Sequence, residues 1–364
     1  MKKVSERDYS LDFIRVFALL CVISVHFFLN TGFYSISSNS TKMLILTIIR
    51  SFFMICVPLF MVLTGYLNNN KKFTKIYCIR ILKYIFIYIL CSLVIVLYKR
   101  FYLLDVSLNF KEIIKQLLSF NISGNAWYVE MYLGLYLIIP FLNKIWKNSN
   151  DFEKKSLIFI LIILTILPNS FNIFKLNFSW WKLPSSDFTY IKTFPEFWQG
   201  IYPITYYYIG CYIYDNKCNY NNKYRYLIII ICTAILFGVF CFYRSYPLIF
   251  QWGRWQEYNS LFIVVMTYYV FIFFLGIKFN SKKINSLVMF LSEKVYGAYL
   301  CSWILDNYLY RILNNFIPVV ENRFCYFLIM VLINFVFSII LSCFVDLLYN
   351  HFFDKFIKKM EKRL

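Results

Sequence analysis

The sequence predicts an all-α, polytopic membrane protein, and three observations carry that expectation. Hydrophobic residues make up 60% of the chain and charged residues only 15%, with a mean hydropathy of +0.60. A soluble domain of this size cannot hide that much apolar material. Apolar windows of about 20 residues, the length that spans a bilayer as a helix, recur along the chain. Basic residues collect mainly in the short segments between those windows, as the positive-inside rule requires. The net charge of +20 belongs to the same pattern, so it implies topology rather than a nucleic-acid partner.

The windows number about ten, at residues 11–29, 43–67, 79–98, 127–145, 155–173, 199–215, 225–243, 258–277, 287–310 and 324–348. The fifth is short before Pro168, and the ninth is interrupted by Glu293 and Lys294. With the N-terminus inside, the inner segments hold 23 Lys and Arg residues and the outer ones 12, with Arg15, Arg50 and Lys294 assigned to neither. That bias predicts N-in/C-in. No internal repeat and no large soluble segment appears, so residues 1–364 read as a single membrane domain. The opening MKKVSERDYS lacks a small-residue cleavage site after its hydrophobic continuation and reads as a retained signal anchor. The 11 cysteines show no CxxC and no zinc-like spacing, so they read as small buried hydrophobes and imply no metal.

The first span, LDFIRVFALLCVISVHFFL, carries the most informative charges. Arg15 and His26 are eleven residues apart, which at about 100° per residue puts them on one helix face, about 16 Å apart along the axis. Asp12, three residues before Arg15, is placed to pair with it. Ionisable groups inside a membrane helix are costly and usually face the bundle interior or a wet cavity. The second span brings Arg50 to a depth similar to His26, and Pro58 predicts a kink in its middle. The basic loop NNNKKFTKIYCIRILK follows, with Lys71, Lys72, Lys75, Arg80 and Lys83. It reads either as a topology determinant that attracts anionic membrane lipid or as a site for a phosphate-bearing donor. The second alternative weighs most for Arg80 and Lys83, at the mouth of the third span.

Glu130 enters the fourth span from outside, and Arg50 or His26 is the expected partner for its carboxylate. The outer segments 99–126, 174–198 and 244–257 mix aromatic and polar residues, among them Trp180, Trp181, Asp187, Glu196 and Trp198. They read either as an interfacial aromatic belt or as a sugar-binding platform. Asp306, Asn334 and Asp346 are polar residues of the last two spans, and His351 is ordinary interface chemistry.

Five segments, in order, carry a family likeness: SLDFIRVFALLCVISVH, VPLFMVLTGYL, FTKIYCIRILKYIFIY, AWYVEMYLGLYLIIP and LSEKVYGAYLCS. Together they resemble acyltransferase family 3, the integral membrane enzymes that acylate surface glycans and related acceptors. The first matches the family's Arg/Lys, ten residues, His pattern at Arg15 and His26. Thr64 stands for the usual serine of the family's SGYL stretch, and Arg80 and Lys83 match its basic third-helix approach. Ser302 stands where many members have histidine, and Val295 where many have serine. His26 is therefore left as the only intramembrane histidine.

The resemblance implies transfer of an acyl group, in the simplest case acetyl, from cytosolic acyl-CoA to a hydroxyl of a surface or lipid-linked polysaccharide. Such a reaction needs a base, a held thioester and stabilisation of the oxyanion. His26 is the expected base. Arg15, with Arg80 and Lys83, is expected to grip the donor's phosphates, while Arg50 and Glu130 are candidates for oxyanion stabilisation or for orienting the site. The expected location is the cell membrane, in a bacterium the cytoplasmic one. The competing class is an exporter of glycan or lipid-linked sugar, against which stands the missing internal repeat.

Overall fold

The computed structural model describes residues 7–172, 191–216 and 222–363, and these are helical throughout apart from connections and one isolated bridge. In chain order the helices are α1 (Tyr9–Asn30), α2 (Thr41–Phe53), α3 (Cys56–Asn68), α4 (Lys75–Phe101), α5 (Phe110–Leu118), α6 (Trp127–Asn148), α7 (Asp151–Thr165), α8 (Leu167–Phe171), α9 (Tyr202–Asn216), α10 (Lys223–Ser245), α11 (Leu261–Leu275), α12 (Lys282–Phe316), α13 (Val320–Arg323), α14 (Phe327–Tyr349) and α15 (Lys355–Lys362). Among the described residues six stretches are long and apolar enough to cross a membrane: Tyr9–Asn30, Thr41–Asn68, Lys75–Phe101, Lys223–Ser245, Arg254–Leu275 and Val320–Lys362. The protein is thus all-α and multi-pass. The other four expected windows also fall on helices, but α7 and α9 have 15 residues each, and α6 and α12 carry Glu130, Glu293, Lys294 and Asp306.

The second window is one span made of two helices. The kink expected at Pro58 appears as a break at Met54–Ile55, between α2 and α3. Proline lacks the N–H that would bond the carbonyl four residues back, and its ring crowds that carbonyl, which belongs to Met54.

The chain divides into two compact units. The first comprises Met1–Leu67 and Ser149–Ser292. Within it α10 packs along both α2 and α11, α1 packs on the same two helices, and α9 packs on α7. The tightest crossing is between α3 and α9. A Cβ built on Gly65 would lie 2.0 Å from the Tyr207 carbonyl oxygen, and one on Gly210 would lie 2.1 Å from that of Val62. Glycine is required at both positions because the backbones touch, the device that small residues provide between membrane helices. The Cys211 thiol then donates to the Gly65 carbonyl at 3.6 Å.

The second unit comprises Asn68–Asn148 and Glu293–Leu364. In it α4 packs on α6, α14 and α15. Tyr77 and Tyr136 stack at 4.4 Å between ring centroids, and the Tyr136 hydroxyl donates to the Tyr77 carbonyl at 3.2 Å. Asn143 donates to the Asn68 and Lys71 carbonyls, both at 2.8 Å, and so satisfies the backbone where α3 gives way to the basic loop. Lys294 and Asp346 form an ion pair at 2.6 Å between α12 and α14. Each neutralises the other in a largely apolar setting.

Candidate functional site

The site is built from the first helix outward. Asp8 caps α1, its carboxylate accepting from the Ser10 amide at 3.0 Å, and this fixes the register of everything that follows. Asp12, one turn in, is 7% exposed at its side chain. It accepts from Arg7 Nε at 2.7 Å and Arg7 Nη2 at 3.1 Å. Ser292 of α12 donates to the same carboxylate at 2.7 Å and accepts from Arg15 Nη1, also at 2.7 Å. Arg15 Nη1 itself stands 3.7 Å from Asp12 Oδ1. The expected Asp12–Arg15 pair therefore exists but is relayed through a hydroxyl, while Arg7 takes the direct two-point contact.

Two guanidinium groups share one carboxylate, so the cluster retains a positive charge. Arg15 is 31% exposed at its side chain, and its Nε and Nη2 make no hydrogen bond among the described residues. Beside the cluster lies a cleft of about 530 Å³ lined by Arg7, Asp8, Ser10, Ile277, Lys278 and Asn280 among others. Its wall is fastened by the Ser10 hydroxyl, which donates to the Ile277 carbonyl at 2.7 Å.

His26 lies just before the last turn of α1 and is half-buried. Its carbonyl accepts from the Asn30 side chain at 2.7 Å, and Thr31 closes the helix by donating to the Phe27 carbonyl at 2.7 Å. These bonds satisfy carbonyls that a helix end otherwise leaves open. The intact helix from Arg15 to His26 sets their axial separation at about 16 Å.

Arg50, in the last turn of α2, is fully buried. Its guanidinium carbon lies 5.8 Å from the Tyr34 ring centroid, 5.1 Å from Phe250 and 5.0 Å from Trp252, and Nε donates to the Tyr34 hydroxyl at 3.2 Å. The rings come from two connections held together by the Ser38 amide, which donates to the Leu248 carbonyl at 2.8 Å, and by a bridge between Ser37 and Ile249. Gly32, at φ 86°, makes the left-handed turn that brings Tyr34 back over α2. Burying a guanidinium costs several kcal/mol even after relaxation, and each desolvated cation–π contact returns up to about 2 kcal/mol. The box thus accounts for the burial of the cation in energy, but not for its two terminal nitrogens, which have no hydrogen-bond partner among the described residues. Among the described residues of the first unit no carboxylate lies within ion-pair distance of Arg50.

The remaining candidates belong to the second unit. Arg80 pairs with Glu361 of α15 at 3.1 Å and is 58% exposed. Lys83 Nζ lies 5.8 Å from the Tyr349 ring centroid. Glu130, in the first turn of α6, is exposed. Ser302 is fully buried in a clasp with Asn125, whose side chain donates to the Tyr299 carbonyl at 3.0 Å and to Ser302 Oγ at 3.1 Å. Ser302 in turn donates to the Tyr299 carbonyl at 2.8 Å. In the first unit Glu196 pairs with Arg254 at 2.6 Å, next to the half-exposed Trp198. Trp180, Trp181 and Asp187 lie outside the described residues. Among the described residues no group of three His, Cys, Asp or Glu side chains is placed to hold a metal ion.

A family model described as an acyltransferase domain matches residues 8–343, nearly the whole chain. The chain belongs to acyltransferase family 3. No curated protein and no solved structure matches it. As a member of that family the protein is an acyltransferase that moves groups other than aminoacyl groups. Two residues of this acyltransferase's candidate site had escaped the sequence reading. Arg7 lies outside the first apolar window, and Ser292 is 277 residues from its partner Arg15. Ser292 left one trace in the sequence, a hydroxyl at the start of the LSEKVYGAYLCS segment.

Proposed function

We propose that this acyltransferase transfers an acyl group, in the simplest case acetyl, from cytosolic acyl-CoA to a hydroxyl of a surface or lipid-linked polysaccharide, acting as one domain in the cell membrane. In this reading ten spans place both termini in the cytoplasm. Arg15 holds the donor's phosphates, assisted by Arg80 and Lys83, and His26 removes the proton of the acceptor hydroxyl. The alkoxide oxygen bonds to the thioester carbon, the tetrahedral oxyanion collapses, and the thiolate of CoA leaves and takes up a proton. Arg50 stabilises that oxyanion or, with Glu130, orients the site.

The observation that carries this reading is the state of Arg15. It is locked in place through Ser292 and Asp12 by one nitrogen, while the rest of its fork is unengaged among the described residues, on a helix whose other end presents His26. A fork of that kind suits bidentate binding of phosphate.

The experiment is acylation of the glycan in cells carrying His26→Ala or His26→Gln, at matched protein levels. Loss of a positioned base lowers the rate by about 10²–10⁴-fold, so both variants should lose acylation while exporting the same amount of glycan. If His26→Gln keeps most activity, His26 is a structural hydrogen-bonder and the proposed mechanism fails. Less exported glycan, with the remainder still acylated, would favour an exporter.

A further inference from the structure

The surroundings of Arg50 contain more than an aromatic box. Nη1 and Nη2 of Arg50 are buried and lack a hydrogen-bond partner among the described residues, while the buried Oγ of Ser51 and Nε1 of Trp255 have none there beyond the Cys241 thiol. Ser51 and Trp255 both lie against the Cys241 thiol, which is also within electrostatic reach of Arg50. The unmet groups therefore share one small region where α2, α10 and the 246–260 connection meet. Gln256 Oε1 is an unmet acceptor there, its amide nitrogen being used on the Gln251 carbonyl at 2.9 Å. A second cation, Arg244, is buried on the same face and lies 5.9 Å from the Trp255 ring centroid.

Nearby carboxylates do not balance this. Glu196 is committed to Arg254 at 2.6 Å and Lys192 at 3.6 Å. Glu257 feels the charges of Arg254 and Arg50 but is exposed and forms no ion pair among the described residues. Buried polar groups in proteins are nearly always satisfied, and an excess of unmet donors around a cation asks for a ligand that only accepts.

The geometry points to an oxyanion-binding site at Arg50, taking a carboxylate or phosphate group in the plane of the guanidinium fork, with Ser51 Oγ and Trp255 Nε1 as further donors. A planar fork between ring faces leaves its edge for two-point binding of such a group. Access is over Trp252, which is 49% exposed and packs on Tyr34 at 4.7 Å between centroids. The connection carrying it is fastened to its neighbour by the Ser38–Leu248 hydrogen bond and the Ser37–Ile249 bridge, so a shift of that one segment uncovers the fork. Binding of such an anion at Arg50 requires neither proton removal by His26 nor the donor contacts at Arg15. Its ligand is either a free oxyanion or the anionic group of a charged sugar.

The test is binding without turnover. Full-length protein in detergent, at low salt, is titrated with sodium phosphate, glucose 1-phosphate or glucuronate, with sodium chloride at matched ionic strength as the control. The thermal unfolding midpoint and the tryptophan fluorescence are followed, since a ligand that binds only the folded state raises the midpoint in a saturable way. Wild type should respond to at least one oxyanion and not to chloride. Arg50→Gln should lose the response, Arg50→Lys should weaken it, and Trp252→Phe should keep the midpoint shift while losing most of the fluorescence change. Saturation by the sugar probes at lower concentration than inorganic phosphate assigns the site to a charged sugar, and equal or better binding of phosphate assigns it to the free ion. If Arg50→Gln is not monodisperse, Trp255→Phe, which keeps a ring and removes one donor, decides by weakened binding. No saturable response in wild type, or an undiminished one in Arg50→Gln or Trp255→Phe, overturns the proposal.

Discussion

Gly65→Ala isolates the tightest contact in the first unit. The added methyl carbon would sit 2.0 Å from the Tyr207 carbonyl oxygen, against about 3.4 Å for ordinary contact, so α3 and α9 must part by about 1.4 Å. The obstacle is backbone, which cannot rotate away as a side chain does. A separation of 0.5–1 Å already forfeits about a quarter to a half of each dispersion well, so most of the contact along this crossing is lost. The Cys211–Gly65 hydrogen bond at 3.6 Å goes with it. Overpacking of this kind costs about 1–3 kcal/mol, and a backbone obstacle puts Gly65→Ala near the upper limit. Gly134 on α6 is the internal control, because a Cβ there meets nothing within 4 Å. Replacing it by alanine should be neutral or stabilise by up to about 1 kcal/mol through helix propensity. Thermal unfolding in detergent, read by near-ultraviolet circular dichroism, compares the two. A Gly65→Ala protein within about 0.5 kcal/mol of wild type, or a Gly134→Ala protein less stable than Gly65→Ala, would refute the close-approach argument.

Three further outcomes follow from the same geometry. Arg15→Ala should abolish binding of a non-hydrolysable acyl-CoA, with Arg15→Lys recovering part of it, and Ser292→Ala should weaken it by loosening the relay to Asp12; unchanged affinity in Arg15→Ala would leave that residue a structural partner of Asp12. Lys294→Met or Asp346→Asn alone should cost about 3 kcal/mol, the lower end for a broken buried pair because the partners are 18% and 22% exposed, and the double variant should recover most of it; additive losses in the unfolding midpoint would refute the pairing. A reporter fused after Leu364 should be active only in its cytoplasmic form, and activity of an alkaline-phosphatase-type reporter there would show that a span is miscounted.

Much of the fold was legible because a bilayer imposes local rules. A chain segment in hydrocarbon must satisfy its own backbone, so each apolar window had to be a helix whatever its neighbours. Pro58 placed a break in the second span for an equally local reason. Asp12 beside Arg15 and Arg15 one face below His26 follow from helix periodicity alone, and the family was readable in the five ordered segments.

What required the tertiary structure was the choice of partners across long sequence distances. Asp12 prefers Arg7 and shares Arg15 through Ser292, which only the packing of α1 against α12 brings within reach. Arg50 has around it the aromatic rings of two connections that are far apart in sequence. Ser302, in place of the family's frequent histidine, is consumed by a clasp with Asn125. The physical reason is common to all three. The cost of burying a polar or charged group is set by its own chemistry and can be read from one residue. The group that offsets the cost is set by which helices touch, and the glycine-to-backbone approaches and broken spans that decide this act only once the chain is packed.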